Sequence, residues 1–416
     1  MTTAVRLRDV GSTYGGLTGK TKADFGTGDA SFVTFLEVIN NTRLHGTSLE
    51  RVRVARGERQ NRVMRQDLLF NGSSEIPEEV ALSAVVDFEP TTDTFLNSFC
   101  FGFRLRQTET VNPAYLAYFF RSSSGRSLVA SLAQGATRYN IAKTKFLDVE
   151  IALPSPERQR QIVEFLEDAD GLIATLERLI AKKQAIKRGM MQRLLTGRTR
   201  LPGFNAEWSE IRLGNHVTYV KTVALSRAQL DANSPLKYLH YGDIHTRSSV
   251  LLDARIEEMP RASASLAARA GQLRRGDLVF ADASEDPAGV GKSIEIADAP
   301  GTGVVPGLHT IAARFDKSVL ADGFKAYLQF IPSFRGQLLR LAAGTKVLAT
   351  TRSYISSITL TLPAVAEQNA IAEALHDSER EIEALRVRLS KAQDMKTGMM
   401  QQLLTGRVRL PMESGL

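Results

Sequence analysis

"GMMQRLLTGRTRLP" (Gly189–Pro202) and "GMMQQLLTGRVRLP" (Gly398–Pro411) are nearly the same fourteen letters, set 209 residues apart in a chain of 416. At that offset the match runs without a gap from Leu153/Leu362 to Pro202/Pro411, and 24 of the 50 aligned positions are identical. Identity at that density marks a repeated structural unit. Upstream the match weakens but persists. Gly135 lies over Gly344, Arg126 over Arg335 and Tyr118 over Tyr327. "DLLFNGSSEIPEEV" (67–80) resembles "DLVFADASEDPAGV" (277–290), and "VRL" (5–7) echoes "IRL" (211–213). The chain therefore reads as two copies of one unit, each a divergent globular part followed by a well-preserved helical part.

The preserved part opens on Leu-Pro, which suits the approach to a helix. Positions of one helix face, most of them apolar, then step by 4,3,4,3. In copy one they are Ile162, Leu166, Ala169, Ile173, Leu176, Ile180, Lys183, Lys187, Met190 and Leu194. In copy two they are Ile371, Leu375, Ser378, Ile382, Leu385, Leu389, Ala392, Lys396, Met399 and Leu403. This is a heptad seam held for more than four heptads. Each helix should run for about 36–40 residues, or roughly 55–60 Å. Gly197 and Gly406 follow "LLT" and read as C-terminal stops. Gly189 and Gly398 fall inside the helical pattern, where glycine costs about 1 kcal/mol. Their shared place suggests a close backbone approach, either between the helices or to a partner. The simplest arrangement buries one seam against the other as an antiparallel pair about a pseudo-twofold axis, with the globular parts at opposite ends of a rod. Two separate amphipathic helices, each packed on its own domain, are the alternative.

The globular parts read as mixed α/β. Short β runs are "FVTFLEVI" (32–39), "DLLF" (67–70), "FCFGFRL" (99–105), "DLVF" (277–280) and "GLHTIAARF" (307–315). Short helices are "AYLAYFFRS" (114–122) and "GFKAYLQFI" (323–331). The domain boundaries that follow are 1–153, 154–202, 203–362 and 363–411, with a tail at 412–416.

Composition narrows the function. No apolar run approaches the roughly 18 residues of a membrane span, and the first residues lack a signal peptide's apolar core. A lone cysteine, Cys100 in apolar surroundings, fits a buried structural thiol in a reducing cytosol. The six histidines form no ligand pair at helical spacing, so a metal site is not expected. The net charge of +8 is mild for the length, so an anionic partner must be met by local clusters. The densest is "RVRVARGERQNRVMR", with Arg51, Arg53, Arg56, Arg59, Arg62 and Arg65. It is either a solvated surface strand and turn or a phosphate- and base-contacting face, for which the guanidinium fork is suited.

Catalytic signals fail on inspection. "DLVFADASEDPAGVGKS" ends like a phosphate-binding loop, but Asp286 stands where its first glycine belongs. Asn112-Pro113-Ala114-Tyr115 is reminiscent of an amino-methyltransferase motif but lacks the second proline, and no F-x-G-x-G signal for a methyl donor is present. Duplicated heads on paired helices suggest a binder of a pseudo-symmetric partner, and duplex DNA is one.

The twin "K.GMMQ.LLTGR.RL" helix ends, the "LP…Q..I" opening of each helix and the "GFNAEWSEIRLG" start of the second head (203–214) carry a specific resemblance. Over essentially its whole length the chain resembles the specificity subunit of type I restriction–modification enzymes. A mild departure is the first head, which lacks the usual tryptophan before its "VRL". The resemblance implies two target-recognition domains, each reading one half of a split site on double-stranded DNA, with the helices setting the gap. It implies a noncatalytic, cytoplasmic protein that takes part in phage defence. This chain would bind no cofactor itself. It would dock two methylation subunits, which bind S-adenosylmethionine, and recruit restriction motor–nuclease subunits that use ATP and Mg. A stand-alone methyltransferase or nuclease and a non-specific coiled-coil adaptor are the rival readings.

Candidate DNA contacts in head one are Arg138, Tyr139, Asn140, Lys143 and Lys145, with Arg51, Arg53, Arg56 and Arg59. In head two they are Arg274, Arg275, Lys346, Arg352 and Tyr354. Each set mixes cations for phosphates with groups suited to bases. The helix–helix and subunit interface is expected from Ile162, Leu166, Ile173, Leu176, Ile180, Gly189, Met190 and Leu194, and from Ile371, Leu375, Ile382, Leu385, Leu389, Gly398, Met399 and Leu403.

Overall fold

The computed structural model describes residues 2–90, 93–342 and 348–405. Two units emerge: residues 1–178 with 386–416, and residues 179–385. Each contains one globular head and portions of both long helices, Pro156–Leu194 and Val365–Leu403.

The two heads share one plan. Head one has a five-stranded sheet in the order Gly11–Gly15, Cys100–Leu105, Leu68–Asn71, Ser83–Val86, Arg43–Leu44. Head two repeats it with Val217–Val220, Thr310–Phe315, Leu278–Ala281, Ser293–Asp298, Leu251–Asp253. In both, the last pair alone is parallel and the others are antiparallel. A two-stranded ladder then ties the start of each head to the strand before its long helix. Thr3–Arg6 pairs with Glu150–Leu153, and Ser209–Arg212 with Thr359–Leu362. The faint "VRL"/"IRL" echo thus marks an equivalent strand. Beyond the shared plan the heads differ. Head one adds a three-stranded sheet of Glu50–Val52, Phe25–Val33 and Thr94–Leu96, and head two a parallel pair of Lys237–Leu239 with Val304–Pro306.

A buried carboxylate fixes the same turn in both sheets. Asp67 accepts two bonds from Arg104, at 2.8 and 2.7 Å, and Asp277 accepts two from Arg314 at the same distances. Such forked pairs bring geometric specificity as well as energy.

The seam is as the spacing predicts. Ile162, Leu166, Leu176, Ile180, Leu194, Ile371, Leu375, Ile382, Leu385 and Leu403 are buried. Ile173, Met190, Leu389 and Met399 are half-buried. In the second unit Lys183 pairs with Glu381 at 2.6 Å and Lys187 pairs with Glu379, so numbers rise along one helix as they fall along the other. In the first unit Lys396 bonds Asp170 at 2.5 Å, and Leu403 and Leu404 enter the core that holds Ile162 and Leu166. Pairing is antiparallel in each. Gly197, at φ 69°, sits past the end of the first helix as a left-handed stop. Gly406 lies outside the described residues.

Two expectations need correction. Residues 35–39 are not strand: Phe35–Asn40 is a helix, because the Thr34 side chain accepts from the Glu37 amide at 3.2 Å and caps it. The short helix expected at 323–331 is present as the 3-10 helix Lys325–Phe330. Gly189 and Gly398 do not mark a close approach between the helices, since a Cβ on either would meet nothing within 4 Å in this chain; an approach to a partner is the alternative that remains. Gly189→Ala and Gly398→Ala should therefore each stabilise the free chain by about 1 kcal/mol, through helix propensity alone. Urea unfolding measures this, and a loss of stability would restore the close-approach reading.

Candidate nucleic-acid interface

In head one, the ladder of Ser73–Ser74 with Tyr139–Asn140 brings two distant segments together. Arg138 precedes it. Its Nε donates to Ser73 Oγ at 3.3 Å, and its guanidinium lies over the Phe99 ring, 5.3 Å from the centroid. Phe99 is 57% exposed, although it adjoins the buried Cys100. The amide of Gly72 donates to its carbonyl at 2.7 Å and holds it at the sheet end. Asn140 is exposed; Tyr139 is half-buried against the core. Lys143 and Lys145 stand exposed on the short helix Lys143–Leu147, which Phe146 anchors in the core. The ladder, the sheet end and the short helix of head one thus offer an arginine, an aromatic ring, an amide and two lysines.

Head two builds the same place from other side chains. The ladder is Ala283–Ser284 with Leu348–Ala349. The next helix, Arg352–Ser357, is capped by Thr351, which accepts from the Tyr354 amide at 3.2 Å. Arg352, its first residue, lies over the Tyr219 ring at 5.4 Å, and Tyr354 is half-buried. Arg352 and Lys143 thus occupy the same position of equivalent helices. Lys346 lies outside the described residues. Where head one has Phe99, head two has His309, whose carbonyl accepts from the Asp282 amide at 3.1 Å. His309 has φ 54°, a left-handed backbone uncommon outside glycine. Its ring meets Tyr241 at 5.4 Å, and its Nδ1 lies 3.2 Å from Asp282. His245 adds a further ring, with Nε2 3.0 Å from the Ala283 carbonyl.

The remaining candidates stand on other segments. Arg51 belongs to the strand Glu50–Val52 and donates to the Gly28 carbonyl at 3.1 Å. Arg53 reaches Thr27 at 3.5 Å; Arg53 and Arg59 line a cavity of about 430 Å³ that also holds Lys20 and Glu58. Arg56 is exposed in the turn between them. Arg274 and Arg275 are exposed at the turn where the Arg274 amide donates to Asp277 at 2.8 Å. Other arginines are structural. Arg126 donates to the carbonyls of Glu78, Val80, Ala81 and Phe120, and Arg121 to those of Ser83, Val38, Ile39 and Asn41.

Sequence reasoning missed Phe99, His309, Tyr241 and His245. Spacing carried no signal for them, because only the ladders and sheet ends bring 99 to 138 and 309 to 241. The motifs that hinted at catalysis have structural tasks. Asn112 caps the helix Pro113–Arg121, accepting from the amides of Ala114 and Tyr115 at 2.9 and 3.2 Å. The Lys292 amine donates to the carbonyls of His245 and Arg247 at 2.7 and 2.9 Å. Burial pushes the Cys100 thiol up to about 12, which makes it an inert core residue. Among the described residues no group of three or more His, Cys, Asp or Glu could hold a metal ion, and no helix is long and apolar enough to cross a membrane.

Comparison with known proteins gives this arrangement a context. Residues 4–188 match the family model for the type I restriction modification DNA specificity domain. The chain is 23% identical over 397 residues to a protein of Methanocaldococcus jannaschii named as the specificity subunit of the type I restriction enzyme MjaX, covering 91% of this chain and 87% of that one. It is 25% identical over 321 residues to the MjaVIII specificity subunit of the same organism, covering 73% and 72%. The S subunit of a type I restriction-modification system from M. genitalium shares the fold with a TM-score of 0.56 at 12% identity, over 97% of this chain and 96% of that one. The HsdS subunit from Thermoanaerobacter tengcongensis does so with a TM-score of 0.52 at 17% identity, over 98% and 97%. Matched domain and relatives agree: residues 4–188 carry the type I restriction modification DNA specificity domain, and over most of its length the chain is similar to type I restriction enzyme specificity subunits.

Proposed function

We propose that each head reads one half of a bipartite duplex site, while the paired helices set the gap and dock two methylation subunits. The observation that carries this reading is that two heads of one sheet order present the same ladder-and-helix face with different side chains. Phe99, Arg138, Asn140 and Lys143 stand in one, and His309, Tyr241 and Arg352 in the other. Equal scaffolds with unequal contact groups suit two half-sites of different sequence. In this assembly the methyl donor belongs to the methylation subunits, and ATP and Mg to restriction motor–nuclease subunits. The chain itself supplies specificity and no catalysis.

Methylome sequencing of cells carrying the whole system, with and without this gene, tests the reading. A two-part methylated motif should vanish with the gene. A motif that persists, or an undivided one, would overturn it.

Arg138 and Arg352 allow a sharper test in the assembled complex. Alanine at a base-contacting position should weaken binding by about 1–3 kcal/mol and relax one base of the motif, whereas loss of a phosphate contact should flatten the salt slope by about one. If affinity, slope and motif stay unchanged in both variants, the ladder face is not the reading surface.

A further inference from the structure

Equivalent places in the two units are filled differently. In the first unit the edge strand Arg43–Leu44 sends Arg43 toward the long helix, where its guanidinium pairs with Glu167 and, at 2.5 Å, with Asp87. Beside it the Tyr118 hydroxyl donates to Asp170 at 2.7 Å, and Lys396 reaches the same carboxylate at 2.5 Å.

In the second unit Leu251–Asp253 holds the same sheet edge, and Leu251 stands where Arg43 stands. At the repeat offset His376 replaces Glu167, Glu379 replaces Asp170 and Tyr327 replaces Tyr118. Glu379 pairs instead with Lys187. What results is a cavity of about 550 Å³ between head and helix, with Leu251, Tyr327 and His376 in its wall. Tyr327 is 1% exposed. Its hydroxyl and the Nε2 of His376 are both buried, and neither has a hydrogen-bond partner among the described residues. The rings lie 5.5 Å apart. Carboxylates of Asp322, Glu373, Asp377 and Glu379 border the cavity; Asp322 pairs with Lys317 and Lys325, Asp377 with Arg380 and Glu379 with Lys187, which leaves Glu373. Burial, aided by Arg380 and Lys187, holds the His376 ring below the usual histidine range, so it is neutral at neutral pH and one ring nitrogen can accept.

We propose that this cavity is a binding site for a guanidinium group, the group that Arg43 supplies from within in the first unit. The acceptors without a partner among the described residues are the phenol oxygen, the imidazole nitrogen and the Glu373 carboxylate. A planar fork with five N–H donors can meet several of them at once, which a compact ammonium does less well. Leu251 gives the apolar wall that a methylene stem needs. The group can come from an arginine of a docked methylation subunit or from a free small guanidinium compound, and the two sources are separable.

The test titrates methylguanidinium chloride, at constant ionic strength, into the full chain carrying ¹⁵N-labelled histidine, with His376 assigned from a His376→Gln variant. The expected result is a saturable shift of the His376 ring signals, with methylammonium at least fivefold weaker. Leu251→Arg should abolish the response by placing a guanidinium in the cavity. Tyr327→Phe, which removes only a hydroxyl without a partner, should keep the fold and weaken binding at least threefold. A silent His376, equal responses to the two cations, or unchanged affinity in both variants would overturn the proposal. Repeating the titration on the assembled complex identifies the source and rests on the specificity-subunit reading. A His376 already shifted and no longer responsive supports a partner arginine; one that still titrates supports a free ligand. Failure to assemble would count against that reading and leave the first titration standing.

Discussion

Replacing Gln159 by methionine should lower the stability of the first unit by about 3 kcal/mol, although the two side chains have nearly the same length. Gln159 is fully buried at the start of its long helix. Its carbonyl oxygen accepts from the Asn112 amide at 2.8 Å, and its nitrogen donates to the carbonyls of Pro154 at 2.8 Å and Thr110 at 3.2 Å. Methionine offers none of these bonds. Each stranded buried group costs about 1–3 kcal/mol, and small shifts recover part of that sum. Gln368 does the same in the second unit, serving the Ala321 amide and the carbonyls of Val319 and Pro363, each at 2.9 Å. The chain's single tryptophan, Trp208, lies in that unit. Its fluorescence during urea unfolding should therefore follow Gln368→Met directly, with circular dichroism reporting Gln159→Met. Losses below about 1 kcal/mol in both variants would mean that the glutamines do not staple helix to head.

A larger effect is expected on specificity. Exchanging residues 1–153 for the matching head of a relative should change one half of the methylated motif and leave the other half intact. Specific and non-specific DNA binding commonly differ by about 10³-fold or more, so the original half-site should lose essentially all modification. The basis is that each head has its own five-stranded sheet and its own core, with separate ladders carrying its contact residues. Methylome sequencing of the exchange strain is decisive. If both halves changed together, the heads would not read independently.

The long helices were legible because their signal is periodic and written twice. Leu166 and Leu375 sit at the same step of the same seam, and both are fully buried. Strands such as Leu68–Asn71 and Leu278–Ala281 were legible as apolar runs between turns. Phe35–Asn40 was misread because β-branched and aromatic residues suggest strand, whereas the Thr34 cap and burial of Val38 favour helix there. The glycines of the twin motif do not report a helix–helix contact: repetition shows a shared requirement, and no neighbouring side chain in the free chain supplies one. The contact faces were half legible. Arg138 and Arg352 stood out as basic residues just ahead of the helices. Phe99 and His309 did not, because their roles depend on segments that meet only in three dimensions.

The core of the first unit contains Leu403 and Leu404 beside Ile162, Val163 and Leu166. During synthesis, then, the head made first is completed last. A ribosome adding about 5–20 residues per second needs on the order of 10–45 s to pass from residue 178 to residue 403. Through that interval the apolar stripe of the first helix is without its final cover, and the second unit, 179–385, is synthesised in full before that cover is made. A message cut short before codon 386 would yield an intact second reader beside an unfinished first one. Exposed leucines on that product would mark it for chaperones and proteases, so translation to the last helical turn serves as a built-in check on the first head.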